Sequence, residues 1–323
     1  MTDPIPPSWE RATLERIALR ALDEQRRARQ WSTLIRLLWL TLLFLIVAAA
    51  LGWIGGAGDK EPLRTGKHTA LVDLAGVIGV ESRASADKMN AALAAAFKDK
   101  HTKGVVLRIN SPGGSPVQSG YINDEIRRLR AKYPDIPLHV VVQDLCASGG
   151  YYVAAAADRI FVDKASLVGS IGVIMGGFGF TGAMEKLGID RRTYTAGDNK
   201  DFLDPFAPEN PAHKEHAKRM LEEIHQQFIK VVRSGRGKRL KESPEIFSGL
   251  VWTGERAVEL GLADGFGSLD SVARDVIKAE RVVDFTPDEN YLEQLSKRLG
   301  AGAAESAARA FLERAAGAAA SLR

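Results

Sequence analysis

Gly104-Val105-Val106-Leu107-Arg108-Ile109-Asn110-Ser111-Pro112-Gly113-Gly114 and the later stretch Cys146-Ala147-Ser148-Gly149-Gly150-Tyr151-Tyr152 decide the fold. Val105–Ile109 is short, β-branched and bounded by turn residues, which reads as a buried strand. Val117–Tyr133 reads as a helix, with Val117, Tyr121, Ile122, Ile126 and Leu129 near one face. Leu138–Val142 is the next apolar run, and it leads into Ser148 and the alanine-rich Tyr151–Ala157. Strand, glycine turn, helix, strand, small-residue turn, helix is the rhythm of a parallel sheet covered by helices, an α/β protein. Both glycine loops then fall at carboxyl ends of strands, where such sheets place ligands.

These loops have the parts for acyl transfer. Glycine has no Cβ, so Pro112-Gly113-Gly114 lets backbone N–H groups approach a substrate. Ser148 heads a helix, and the N–H groups of Gly113 and Gly149 are placed to hold an oxyanion. A serine hydroxyl needs a base. His213, His216 and His225 follow Ser148 but lie in the charged stretch Ala212–Lys230, and Cys146 replaces the first glycine of a Gly-x-Ser-x-Gly elbow. Lys200 is the better candidate, in a polar loop after an apparent strand, Asp190–Thr195. Lysine is almost wholly protonated at neutral pH, so service as a base calls for burial, here against Phe202 and Phe206.

Ile109-Asn110-Ser111-Pro112-Gly113-Gly114, Ala147-Ser148-Gly149-Gly150-Tyr151-Tyr152, Gly169-Ser170-Ile171-Gly172-Val173 and Gly197-Asp198-Asn199-Lys200-Asp201 come in that order. In this the chain resembles the short, single-copy bacterial signal peptide peptidase A branch of peptidase family S49. The match runs roughly from Thr69 to Val283 and includes Trp252-Thr253-Gly254-Glu255-Arg256-Ala257. The resemblance implies a Clp-protease/crotonase-like fold with a repeated ββα core. It implies Ser148 as nucleophile, Lys200 as general base, Ser170 hydrogen-bonded to the lysine amine, and Gly113 with Gly149 as the oxyanion hole. Asn199 before the lysine is a small departure from the family pattern. In short-form relatives the serine and lysine that meet come from neighbouring protomers of a ring, which implies a homo-oligomer with sites between protomers. The implied substrates are remnant signal peptides and other short apolar peptides, with no cofactor.

Working outward, residues 1–36 are polar and arginine-rich, and residues 37–57 carry no charge, with Trp31, Trp39 and Trp53 near the ends. That length suits a bilayer-crossing helix, with Arg26, Arg27, Arg29 and Arg36 keeping the amino end cytoplasmic. The expectation is a single-pass inner-membrane protein with a periplasmic catalytic domain. Residues 58–67 read as linker, 68–290 as the peptidase domain and 291–323 as a helix-prone tail. The 323 residues carry a net charge of +4, too small and scattered for nucleic acid, and the lone Cys146 excludes an internal disulfide. Gly177–Gly182 superficially matches a dinucleotide fingerprint but follows the wrong kind of unit. No P-loop or zinc motif occurs. Two other readings fit parts of the chain. A crotonase-like acyl-CoA enzyme would use the same glycine pairs with carboxylate catalysts. A non-catalytic, ring-forming membrane scaffold would use the fold alone.

Overall fold

The computed structural model describes residues 26–27, 29–45 and 66–287. The chain divides into two compact units, one of Met1–Glu61 with Glu289–Arg323 and one of Pro62–Asp288. In the first, residues 29–45 are helical. Among the described residues no helix is long and apolar enough to cross a membrane. The expected span, and with it the inner-membrane placement and periplasmic domain, is therefore corrected. Residues 46–57 and the tail expected at 291–323 lie outside the described residues.

The second unit is a mixed α/β domain. Its strands are β1 (His68–Ala75), β2 (Thr102–Ser111), β3 (Leu138–Ala147), β4 (Arg159–Val162), β5 (Leu167–Gly169), β6 (Val251–Thr253), β7 (Gly265–Phe266) and β8 (Val282–Asp284). Its helices are α1 (Ala86–Lys98), α2 (Pro116–Lys132), α3 (Gly149–Ala154), α4 (Thr181–Lys186), α5 (Pro211–Arg236) and α6 (Gly254–Glu259), with shorter turns between. The sheet runs β6-β5-β3-β2-β1-β8, with β4 and β7 branching from β3. All pairings are parallel except β5 with β6.

β3 is the strand that positions the site. Its first half pairs with β4, His139–Val141 against Arg159–Phe161. Its second half, Leu145–Ala147, pairs with Leu167–Gly169 of β5. Gln143 and Asp144 are exposed at the fork between these partners. On the opposite edge β2 follows β3 along its length, so the loops after β2, β3 and β5 converge.

Local sequence explains the helices. In α1, buried Ala86, Met89, Ala92, Leu93, Ala96 and Phe97 recur at helical spacing and form one stripe. Ser85 is the N-cap, but its side chain makes no cap bond; Gln118 Oε1 accepts from the Ala86 N–H at 2.8 Å instead. α2 starts with Pro116, which needs no partner for a missing N–H, and Ser115 Oγ accepts from Gln118 N–H. Ile122, Ile126 and Leu129 are buried on it, whereas Val117 and Tyr121, expected on the same face, are exposed.

One other expectation shifts. Residues 190–195 form no strand; they are exposed and join no sheet. β1 ends at Ala75 because Gly76 turns the chain with φ +84° and donates to Asn110 O. Beyond β7 comes a short turn, Leu269–Ser271, followed by a wide π-type turn, Val272–Ile277, that Lys278 ends with φ +62°.

Candidate active site

Ser148 lies where β3 hands over to α3. Its N–H continues the ladder by donating to Gly169 O at 2.9 Å, and its φ of +51° turns the chain sharply. A non-glycine residue in that region is strained by about 1–3 kcal/mol, held by the structure around it. Ser170, just after β5, also has φ +51°. Its N–H donates to Leu250 O at 2.7 Å, so the antiparallel neighbour β6 pins that turn.

The two glycine pairs are jammed against each other. A Cβ on Gly113 would lie 2.6 Å from Gly149 N and 2.8 Å from the Ser148 Cβ. A Cβ on Gly149 would meet Ser119 Oγ at 2.4 Å. Glycine at these positions is what lets the end of β2 touch the start of α3. Ser119 is fully buried on α2, and its hydroxyl donates to Ser115 O at 2.9 Å. Gly149→Ala is accordingly expected to lower the melting temperature through overpacking worth about 1–3 kcal/mol. Adding Ser119→Ala should recover most of that loss, and thermal unfolding of the single and double variants checks it.

Ser148, Gly149 and Ser170 line one cavity of about 400 Å³ together with Gly114, Ser119 and Tyr152. Its remaining walls include Val173, Ile174, Ile224 and Phe228. No lysine, arginine, carboxylate or histidine is among the lining residues. Neither the Ser148 nor the Ser170 hydroxyl has a hydrogen-bond partner among the described residues.

Gly113 departs from the sequence-based expectation. It is buried, and its N–H donates to Ser111 Oγ at 3.1 Å. Gly114 is the member of the pair that faces the cavity. Its N–H makes no hydrogen bond among the described residues, because the bridge to Ile78 uses Gly113 O and the Ser115 N–H. Gly149 N–H, in the first turn of α3, has no intrahelical partner. The open donors are thus those of Gly114 and Gly149. Sequence reasoning had no means to choose within Gly113-Gly114, since the choice depends on the Ser111 side chain.

Lys200 is not brought to Ser148 within the chain. No hydrogen bond joins them, and Lys200 is exposed and absent from the cavity wall. The expected burial against Phe202 and Phe206 does not occur. Phe202 packs between His213 and His216 with ring centroids 5.3 and 5.5 Å away, and Phe206 stacks on Phe180 at 5.3 Å. The lysine loop is fastened at its neighbour, where His213 Nε2 donates to Asn199 Oδ1 at 3.1 Å. His225 is occupied likewise, since its Nε2 donates to Ile171 O at 3.1 Å. Cys146 is fully buried in the core, and burial pushes its thiol up, which makes it inert as a nucleophile.

The matches to known proteins fall on this same region. Residues 130–283 match the family described as Peptidase family S49. Over that segment the chain is similar to peptidase family S49. A candidate signal peptide peptidase SppA of Enterococcus faecium is 34% identical over 189 residues, 58% of this chain and 54% of that protein. Protease 4 of Haemophilus influenzae is 31% identical over 211 residues, 64% of this chain and 33% of its own length. The Na(+)/H(+) antiporter NhaA of Brucella melitensis is 49% identical over 179 residues, 55% of this chain and 24% of the antiporter. This chain therefore spans about half or less of these relatives. The antiporter shares only a quarter of its length with it, so ion transport is not carried over. The matched segment holds Ser148, Ser170 and Lys200, while the Gly113-Gly114 turn precedes it.

Proposed function

We propose that the chain is a serine endopeptidase in which Ser148 attacks the peptide and Lys200 of a neighbouring copy serves as base. The observation that carries this is the distribution of parts. Ser148, Ser170 and two open N–H donors share a cavity without any base. The lysine sits exposed on a segment that also displays Ile174, Phe178, Leu187 and Tyr194, with Ile174 92% and Tyr194 93% exposed. Exposed apolar side chains in one segment mark an interaction surface. A homo-oligomer in which this segment reaches the next protomer supplies the missing amine.

In this reading Ser148 Oγ bonds to the substrate carbonyl carbon as its proton passes to the neutral Lys200 amine. The oxyanion lies between the Gly149 and Gly114 N–H groups. The C–N bond then breaks and the leaving amine takes the proton from Lys200. Water hydrolyses the acyl ester with the same lysine as base. Ser170 orients the lysine amine by a hydrogen bond. The catalytic domain is assigned to residues 68–290, with the Clp-protease/crotonase-like fold its sheet and helices fit.

The uncharged lining favours apolar substrate side chains, because a charge buried there finds no partner. Short apolar peptides, including remnant signal peptides, are the substrate class this supports. The acyl-CoA reading calls for carboxylates at the reacting carbon, and none lines the cavity.

A fluorophosphonate probe tests the assignment. Mass spectrometry of the labelled full chain should find the adduct on Ser148, and Ser148→Ala should remain unlabelled and fail to cut a fluorogenic signal-peptide fragment. An adduct on another serine, or undiminished cutting by Ser148→Ala, removes Ser148 from the mechanism. Unlabelled wild type that still assembles supports the scaffold reading instead.

A further inference from the structure

The Ser170 turn is held from two sides. From the sheet side, Leu250 O accepts the Ser170 N–H at 2.7 Å. From the other side, His225 on α5 reaches across and donates from Nε2 to Ile171 O at 3.1 Å. A carbonyl only accepts, so this contact sets the tautomer that carries the proton on Nε2. The residues flanking His225 on α5, Ile224 and Phe228, line the cavity, and so do Ser170, Gly172 and Val173 on either side of Ile171. His225 itself does not line it.

Ser170 stands at φ +51°, a conformation that persists only where the surroundings enforce it. Within the turn the Gly172 N–H donates back to Ser170 O at 2.9 Å. Beyond Val173 the chain leaves the core, with Ile174 92% exposed. The turn therefore has a firm anchor on its sheet side and needs a second before the chain runs out. Ile171 is itself fully buried in the core, and among the described residues His225 is the side chain that adds a hydrogen bond to the turn from α5.

We propose that His225 is a positioning residue for the serine site: its hydrogen bond to Ile171 O fixes the Ser170–Val173 turn against α5. In doing so it sets the direction of the Ser170 hydroxyl and the cavity wall that follows. Its catalytic consequence rests on the Ser148–Lys200 reading, while its structural consequence does not.

The test uses the full chain with His225→Phe, which keeps a ring and loses the donor, and His225→Gln, whose amide restores a donor at similar reach. Hydrogen–deuterium exchange of the peptide spanning Gly169–Met175 is the first readout. Exchange should accelerate in His225→Phe and return towards wild type in His225→Gln, with the peptides of β1 and β2 unchanged in both. Peptide hydrolysis is the second readout. His225→Phe should lower kcat about ten- to a hundred-fold, the scale of a small misplacement at a reacting centre, with KM within about twofold. His225→Gln should recover most of it. Unchanged exchange at Gly169–Met175 in His225→Phe overturns the proposal, as does exchange that His225→Gln leaves as fast as His225→Phe. If His225→Phe does not fold, wild-type-like exchange in His225→Gln beside rapid exchange in His225→Ala supports the proposal, and equal exchange in those two overturns it. A Ser148→Ala control that cuts like wild type defeats the nucleophile assignment and leaves the exchange result standing.

Discussion

Ser148→Ala and Lys200→Ala are each expected to abolish peptide hydrolysis, and an equimolar mixture of the two is expected to recover part of it. The loss should be at least a thousandfold for each, on the order of losing a nucleophile or its base. Recovery follows from the separation of the two residues. In one chain Ser148 lies in a cavity with no basic side chain, and Lys200 is exposed outside it. If the working pair spans two copies, a mixed assembly contains some junctions where an intact serine faces an intact lysine. In a random mixture about a quarter of such junctions are intact, which sets the ceiling for recovery. The measurement is turnover of a fluorogenic apolar peptide after mixing and re-equilibration, with size-exclusion chromatography run on the same samples. Two inactive variants that assemble and stay inactive on mixing would place the pair within one chain. Lys200→Ala at wild-type rate would remove the lysine from the mechanism.

The second large effect concerns stability. Arg236 is only 1% exposed at the end of α5. Its Nη1 and Nη2 donate to the two Asp264 carboxylate oxygens at 2.8 and 2.9 Å, and its Nε donates to Gly261 O at 2.8 Å. Asp264 also accepts from the Ile160 N–H at 2.7 Å, tying α5 to β4 and the segment before β7. Removing one partner of a buried pair leaves the other charge without compensation. Arg236→Met is expected to cost about 3–5 kcal/mol, the usual penalty for such a break. Arg239, 40% exposed, keeps a 3.1 Å contact to Asp264 and should hold the loss to the lower part of that range. Adding Asp264→Asn should cost less than the sum of the single changes, because the stranded carboxylate is gone.

The same pair has a pH signature. Burial disfavours the Asp264 charge, but the Arg236 hydrogen bonds and charge outweigh it and hold the carboxyl below its ordinary range. A depressed folded-state value stabilises the protein fully above the unfolded value and is lost as pH falls through the folded one. The gap between wild type and Arg236→Met in chemical denaturation should thus be widest near neutrality and narrow below about pH 4. A gap independent of pH would mean that packing of the arginine stem, and not its charge, carries the effect.

Much of the domain was legible in the sequence because it is written locally. β2, α1, α2 and the start of β3 follow from apolar periodicity and from Pro, Ser and Gly at their boundaries, and the structure matches them within a few residues. The expected Asp190–Thr195 strand failed because a strand needs another strand to pair with, and Arg191 is held instead by an ion pair to Asp204 in the following loop. The apolar run at 37–57 read as a membrane span from composition, yet among the described residues no helix is long and apolar enough to cross a membrane.

The site divides along the same line. Ser148, Gly149 and Ser170 could be named from motifs, because a serine at a strand end followed by glycine is a local pattern. Which glycine of Gly113-Gly114 keeps an open N–H depends on Ser111 Oγ, and the need for glycine at 149 depends on Ser119 of α2. Whether a histidine is a base or a clamp depends on what its ring meets. His225 meets a carbonyl 54 residues away in sequence. By itself the sequence determined the strand–turn–helix order and the residue types available for acyl transfer, since both are set by short-range sterics and chemistry. Only the tertiary structure decided which N–H groups stay open, which histidines are already bonded, and that Lys200 lies outside the Ser148 cavity, because each of these is a contact between segments that chain order does not bring together.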